Sequence, residues 1–111
     1  MKHITDEMVI SKWKSLQANA KNRGLDFNLS LTSVKNLLRA EKCYYTGHKF
    51  VSNHPRDSRS VDRKDPKKGY VKGNVVACTI GFNSFKNTVE HLDKKGINAI
   101  IRQLQQIEKE L

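Results

Sequence analysis

The chain has 111 residues, with 21 Lys and Arg against 11 Asp and Glu, a formal net charge of +10. That length supports one domain with a modest core, and the charge excess favours a polyanionic partner, since each neutralised phosphate releases counterions; a basic protein with no nucleic-acid role is the plainer alternative. Two cysteines, Cys43 and Cys78, exclude a disulfide framework and an all-cysteine zinc site, and no apolar run reaches membrane-spanning length.

Thr5 followed by Asp6 and Glu7 predicts a helix start, a hydroxyl cap with acids in the first turn. Met8, Val9, Trp13, Leu16 and Ala20 follow helical spacing, and Gly24 is the expected stop. The outer face carries Lys12, Lys14, Lys21 and Arg23, which fits a solvated face and a DNA-facing one equally. Leu25 to Leu29 alternates apolar and polar like a short strand. Thr32 is the expected cap of a second helix bearing Val34, Leu37 and Leu38.

Residues 52–59, SNHPRDSR, lack periodicity and predict a loop whose Arg56 and Arg59 could contact phosphates. Ser60-Val61-Asp62-Arg63 predicts a strand. Lys64 to Gly73 is a connecting loop punctuated by Pro66, Gly69 and Gly73 and lined by Lys67, Lys68 and Lys72. Asn74 opens a second strand through Cys78. In the helix expected next, Ile80, Asn83, Asn87 and His91 fall near one stripe, with Phe82, Phe85 and Val89 toward the core. Asn83 and Asn87 stand one turn apart and can point at one ion; an asparagine on a helix is more often simply solvated. Lys94-Lys95-Gly96 is the expected helix break. Beyond it Ile97, Ile100, Ile101, Leu104, Ile107 and Leu111 predict an amphipathic last helix, packed on the first helix or forming a dimer seam, the former favoured because a short chain needs the area.

The run SVDRKDPKKGYVKGNVVACTIGFNSFKN resembles the core of the HNH (ββα-metal) endonucleases, particularly small phage-type members. The upstream NAKNRGLDFNLSL and CYYTGHKF resemble the usual lead-in of that group. The resemblance implies an α+β fold: a ββα-metal core over 43–92, a helical lead-in over 5–40 and a C-terminal amphipathic helix over 96–111, in one domain spanning 1–111. It implies Asp62 and Asn83 as ligands of one divalent cation, Mg²⁺ or Mn²⁺, since both offer hard oxygens, with Asn87 a further candidate. Asn74 would tie the loop to the strand. Lys86, with the arginines and loop lysines named above, would contact nucleic acid.

Two departures matter. Many relatives have a CxxC zinc knuckle where Cys43 and Thr46 stand, and Phe82 occupies a further knuckle position, so no structural zinc is expected; the tyrosines and Phe82 would pack there instead. The residue after the metal acid is usually a histidine that takes the proton of the attacking water, and here it is Arg63, which cannot deprotonate. Asp65, His54 or His48 could supply the base, or Arg63 could clamp the phosphate while metal-bound hydroxide or substrate takes the proton. The expected activity is metal-dependent hydrolysis of DNA, most readily double-stranded, by a monomer or homodimer in the cytoplasm of a bacterial or phage-infected cell. The alternatives are a DNA-binding module with a spent site, and a structural or inhibitory protein acting through its last helix.

Overall fold

The computed structural model describes residues 3–111; the first two residues of the expected 1–111 unit lie outside it. The fold is mixed α+β, with four helices and one two-stranded antiparallel sheet among the described residues.

Helix α1 (Asp6–Arg23) begins where the cap signal lies: Thr5 Oγ1 accepts the N–H of Met8, and Asp6 and Glu7 fill the first turn. It ends at Gly24, whose φ of 66° is left-handed. Val9, Leu16 and Ala20 face inward, while Met8 is exposed. Trp13 donates its ring N–H to the carbonyl of Leu29 at 2.7 Å and meets the edge of Phe27, so α1 clamps the following segment. That segment, expected as a strand, forms an isolated parallel bridge between Phe27 and Tyr70, because among the described residues its backbone pairs strand-fashion only with Tyr70, through the Asn28 and Tyr70 N–H groups. Helix α2 (Leu31–Arg39) starts earlier than Thr32 suggests: Ser30 Oγ accepts the Ser33 N–H, and Thr32 becomes a first-turn residue. Val34 is fully buried.

Strands β1 (Arg59–Arg63) and β2 (Val75–Thr79) pair with Arg59 opposite Thr79 and Arg63 opposite Val75. Thr79 caps helix α3 (Ile80–Val89) by accepting the Phe82 N–H, so the hairpin passes into the helix without a linker. The core joins Val9, Leu16, Ala20, Leu29, Val34 and Tyr70, with Val61 and Val75 packed against it from the hairpin.

The end of the chain differs from expectation. Helix α3 stops at Val89, leaving His91 in the turn beyond it, and Phe85 points outward at 44% exposure. Lys94-Lys95-Gly96 is not the break but the first turn of α4 (Lys94–Lys109), because Asp93 accepts the Gly96 N–H at 2.8 Å and caps the helix there. Helix α4 does not pack on α1. The inward face of α1 is already filled by the core, so the apolar stripe of α4 stays open.

Gly69 is where the loop after β1 docks on residues 26–28. A Cβ there would sit 2.0 Å from the Asp26 carbonyl oxygen, between the hydrogen bonds that join Tyr70 to Asp26 and Asn28. Gly69→Ala is expected to cost at least ~3 kcal/mol, since backbone rather than a pliable side chain blocks it. Gly24→Ala has open space and meets only left-handed backbone strain, about 1–2 kcal/mol. Urea unfolding of the two variants checks this ranking; equal losses would contradict the docking.

Candidate metal and nucleic-acid site

The loop between the strands is organised by Asn74, which is 6% exposed. Its Oδ1 accepts the Asp65 N–H at 2.9 Å, and its Nδ2 donates to the carbonyls of Asp65 and Gly69. Asp65 Oδ1 accepts the N–H of Lys67, a side-chain turn that fixes the start of the loop. Arg63 donates to the carbonyls of Pro66 at 2.7 Å and Lys68 at 3.0 Å, and its guanidinium lies over the Tyr70 ring. Arg63 therefore braces the loop, and any phosphate contact would share a guanidinium already engaged there. Lys67, Lys68 and Lys72 project into solvent along the same loop.

Asp62 lies on β1 at 5% exposure, facing α3. Tyr45 donates its hydroxyl to Asp62 Oδ2 at 2.5 Å. The Lys86 ammonium stands 3.4 Å from the same oxygen and also binds Glu90 Oε2 and, at 3.0 Å, the carbonyl of Arg63. Asn83 meets β1 two residues earlier: its Nδ2 donates to Ser60 Oγ at 2.9 Å and approaches the Val61 carbonyl at 3.5 Å. The register of helix on strand thus sets Asn83 against Ser60 and Lys86 against Asp62. Asn87 is exposed.

Tyr45 reaches Asp62 because the turn before it is pinned to β2. The Tyr44 N–H donates to the Ala77 carbonyl, and Cys43 Sγ accepts the Thr79 N–H. The Tyr45 ring stacks on Phe82 with centroids 4.7 Å apart, so aromatic packing fills the knuckle region. Cys43 and Cys78 are free, buried thiols. Burial and the Asp62 carboxylate push the Tyr45 hydroxyl well above the ordinary tyrosine range, keeping it a donor. Burial alone would lower the Lys86 pKa, but the bond to Glu90 and the charge of Asp62 more than offset it, and the pKa rises.

Two residues expected at phosphates are committed inside the fold. Arg59 donates twice to the Ala40 carbonyl, at 3.2 and 2.8 Å, and lies over Phe50. Lys86 is 16% exposed within its carboxylate pair. Arg56 and the loop lysines remain exposed. His54 closes its own turn, its Nδ1 accepting the N–H groups of Arg56 and Asp57, while the His48 side chain is exposed. Tyr45 and Glu90 are the members that sequence reading missed. Glu90 carries a signal, the i,i+4 spacing from Lys86; Tyr45 carries none, since its partner lies 17 residues away.

Among the described residues no three His, Cys, Asp or Glu side chains converge as a ready-made ligand set. A divalent ion here would draw on an Asp62 oxygen, the Asn83 carboxamide oxygen and water or phosphate, a hard-oxygen set of the kind Mg²⁺ accepts. The donors fit in kind. The charge fits only if Lys86 withdraws, because its ammonium already serves as the counter-ion of Asp62.

No protein-family model matches the chain, and no solved structure matches it. An uncharacterised 29.0 kDa protein from the dda–modA intergenic region of Enterobacteria phage T4 is 40% identical over 81 residues, which are 71% of this chain and 33% of the phage protein. The chain spans about a third of the length of that relative. Among the described residues no helix is long and apolar enough to cross a membrane.

Lys86→Met keeps the apolar stem and removes the charge, leaving Asp62 buried without its cation. The expected loss is about 1.5–3 kcal/mol, the range for hydrogen bonds to charged groups. Adding Asp62→Asn is expected to return part of that loss, which a double-mutant cycle in urea reads as coupling. Because the Lys86 pKa is raised, its contribution is fully present below the ordinary lysine value of 10.5 and fades as pH climbs through the higher folded value. The Lys86→Met penalty should therefore be constant from neutral pH to about pH 10 and shrink above it; a penalty that vanishes between neutral pH and pH 9 would contradict the pairing.

Proposed function

We propose that the protein is a ββα-metal (HNH-type) endonuclease that hydrolyses DNA phosphodiester bonds with one divalent cation. The observation that carries this reading is the placement of α3 directly after the hairpin and across β1, so that a buried acid on the strand and oxygen-bearing side chains on the helix share one face. The cation-lined loop beside them and the net charge of +10 suit a phosphate chain.

When bound, a divalent ion supplies charge stabilisation at the scissile phosphate and its leaving oxygen. The chain's own part is then specific. Asp62 and Asn83 would hold the ion through their side-chain oxygens. Lys67, Lys68 and Lys72 bind flanking phosphates. Asn74 and Arg63 keep the loop in register, through the carbonyl contacts already described. Water attacks phosphorus as the bond to the leaving oxygen breaks, and the leaving alkoxide takes a proton from solvent. Arg63 cannot accept the water's proton. We propose that Asp65, two residues beyond the end of β1, is the carboxylate that takes it.

One observation favours a second reading. Lys86 occupies the cation position opposite Asp62, which suits a protein that binds DNA without cutting it.

A supercoiled-plasmid assay with Mg²⁺, Mn²⁺ and EDTA separates the two. Nicking that needs a divalent ion, and that falls at least ~10²-fold in Asp62→Asn and Asn83→Ala variants whose melting curves show a retained fold, is the expected outcome. Salt-dependent DNA binding with no cleavage under any metal supports the second reading. Undiminished cleavage in EDTA removes the first.

A further inference from the structure

Helix α4 carries an apolar stripe that is half-buried at its start, at Ile97 and Ile100, and left open among the described residues from Ile101 onward. Ile101, Leu104 and Ile107 are 46%, 48% and 54% exposed. A helix of 16 residues with little contact to the rest of the fold forgoes the tertiary packing of its apolar face from which helices in proteins draw most of their stability. Something must cover this face for the helix to be worth forming.

The spacing says what. Ile97, Ile100, Leu104, Ile107 and Leu111 recur at alternating steps of three and four, the a and d positions of a heptad. The outward f positions are Lys95, Arg102 and Lys109, all basic and solvent-facing. The flanking e positions are Lys94, Ile101 and Glu108. Turned end for end, the pattern maps onto itself. Ile97 of one helix meets Ile107 of the other, and Ile100 meets Leu104. Lys94 faces Glu108 across one flank, and Ile101 faces its own copy at the two-fold axis. A parallel pairing would leave Lys94 without an acid and set Ile101 against Gly96. The charge pattern therefore selects the antiparallel arrangement, and self-complementarity selects a second copy of this chain as the occupant.

We infer that the protein dimerises through an antiparallel α4–α4 seam built on Ile97, Ile100, Leu104 and Ile107. The seam continues into an open groove of about 540 Å³ beside α4, lined in part by Phe85, Val89, Leu92 and Ile97. The helix residues of the seam lie outside the Asp62 cluster, although the groove it continues into is also lined by Tyr45, Lys86 and Glu90; the test below reads association and needs no nuclease activity.

Light scattering of the full chain across a concentration series is expected to give twice the 12.7 kDa chain mass at high concentration. Leu104→Lys should keep the chain monomeric throughout, with its helical circular dichroism outside α4 retained. Lys94→Glu and Glu108→Lys should each weaken the dimer roughly three- to tenfold, and the double reversal should restore it. Gln103→Cys sits at the flank where the two copies cross and should form an inter-chain disulfide on mild oxidation only in the antiparallel dimer; Cys43 and Cys78 are buried and do not compete. A chain that stays monomeric at every concentration overturns the inference, whether or not it captures some other protein. So does a dimer that survives Leu104→Lys, or one in which the double reversal fails to recover and Gln103→Cys does not cross-link.

Discussion

The Lys86 ammonium is the joint on which the hairpin and helix α3 turn. It reaches an acid on β1, the acid that caps the end of its own helix and a strand carbonyl, so one side chain ties α3 to β1 at the place where the Thr79 cap has set it. Such a joint has no slack. Asp62 is almost wholly desolvated, and a carboxylate taken out of water is stabilised only while a cation and hydrogen-bond donors hold it. Tyr45 provides the neutral donor and Lys86 the charge. Removing either leaves the cost of burial standing with less to offset it.

The donors come from far apart in the chain, and backbone hydrogen bonds bring them together. The turn at 43–47 is held to β2 by the Tyr44 N–H and by the Thr79 N–H on the Cys43 sulfur, which sets Tyr45 over β1. The loop after β1 is held by Asn74, whose amide satisfies three backbone groups, and by Arg63. Each brace uses a side chain that could otherwise serve chemistry. Arg59 and Arg63 illustrate the point: both are long cations near the site, and both give much of their hydrogen-bonding capacity to carbonyls of irregular chain that no strand or helix satisfies. A small domain with only two strands has few ladder partners for its loops, so arginines take their place.

Where an element is fixed by neighbouring residues, the sequence is readable. Thr5, Gly24 and the apolar spacing between them are enough for α1, and the turn residues of 64–74 are enough for the loop. Where two local signals compete, position in the chain decides, and the stronger cap wins. Ser30 precedes Thr32, and Asp93 turns a lysine–glycine run that looks like a stop into a start. The long-range features were not legible. Nothing near Asp62 announces Tyr45, and the facing of Lys86 rather than Asn83 depends on how far α3 slides along β1. That slide is set by Thr79 capping α3 at the very end of β2. The packing of α4 failed for a related reason: periodicity shows that a helix has an apolar face, but not whether the rest of the chain has a free surface to meet it.

Charge at the cluster gives the final constraint on its chemistry. Two carboxylates and one ammonium leave one net negative charge in a buried pocket of a chain that is otherwise strongly basic. Lys86 therefore does not saturate the site. It halves the negative charge and leaves the remainder shared between Asp62 and Glu90. A divalent ion entering beside Asp62 would repel the ammonium, yet Glu90 offers that ammonium a place to stay, since the two already bond along one helix face and need not part. Glu90 already bonds Lys86, so the ammonium keeps a partner on its own helix, and a lysine opposite the acid is compatible with the proposed cation site as well as with a permanently closed one.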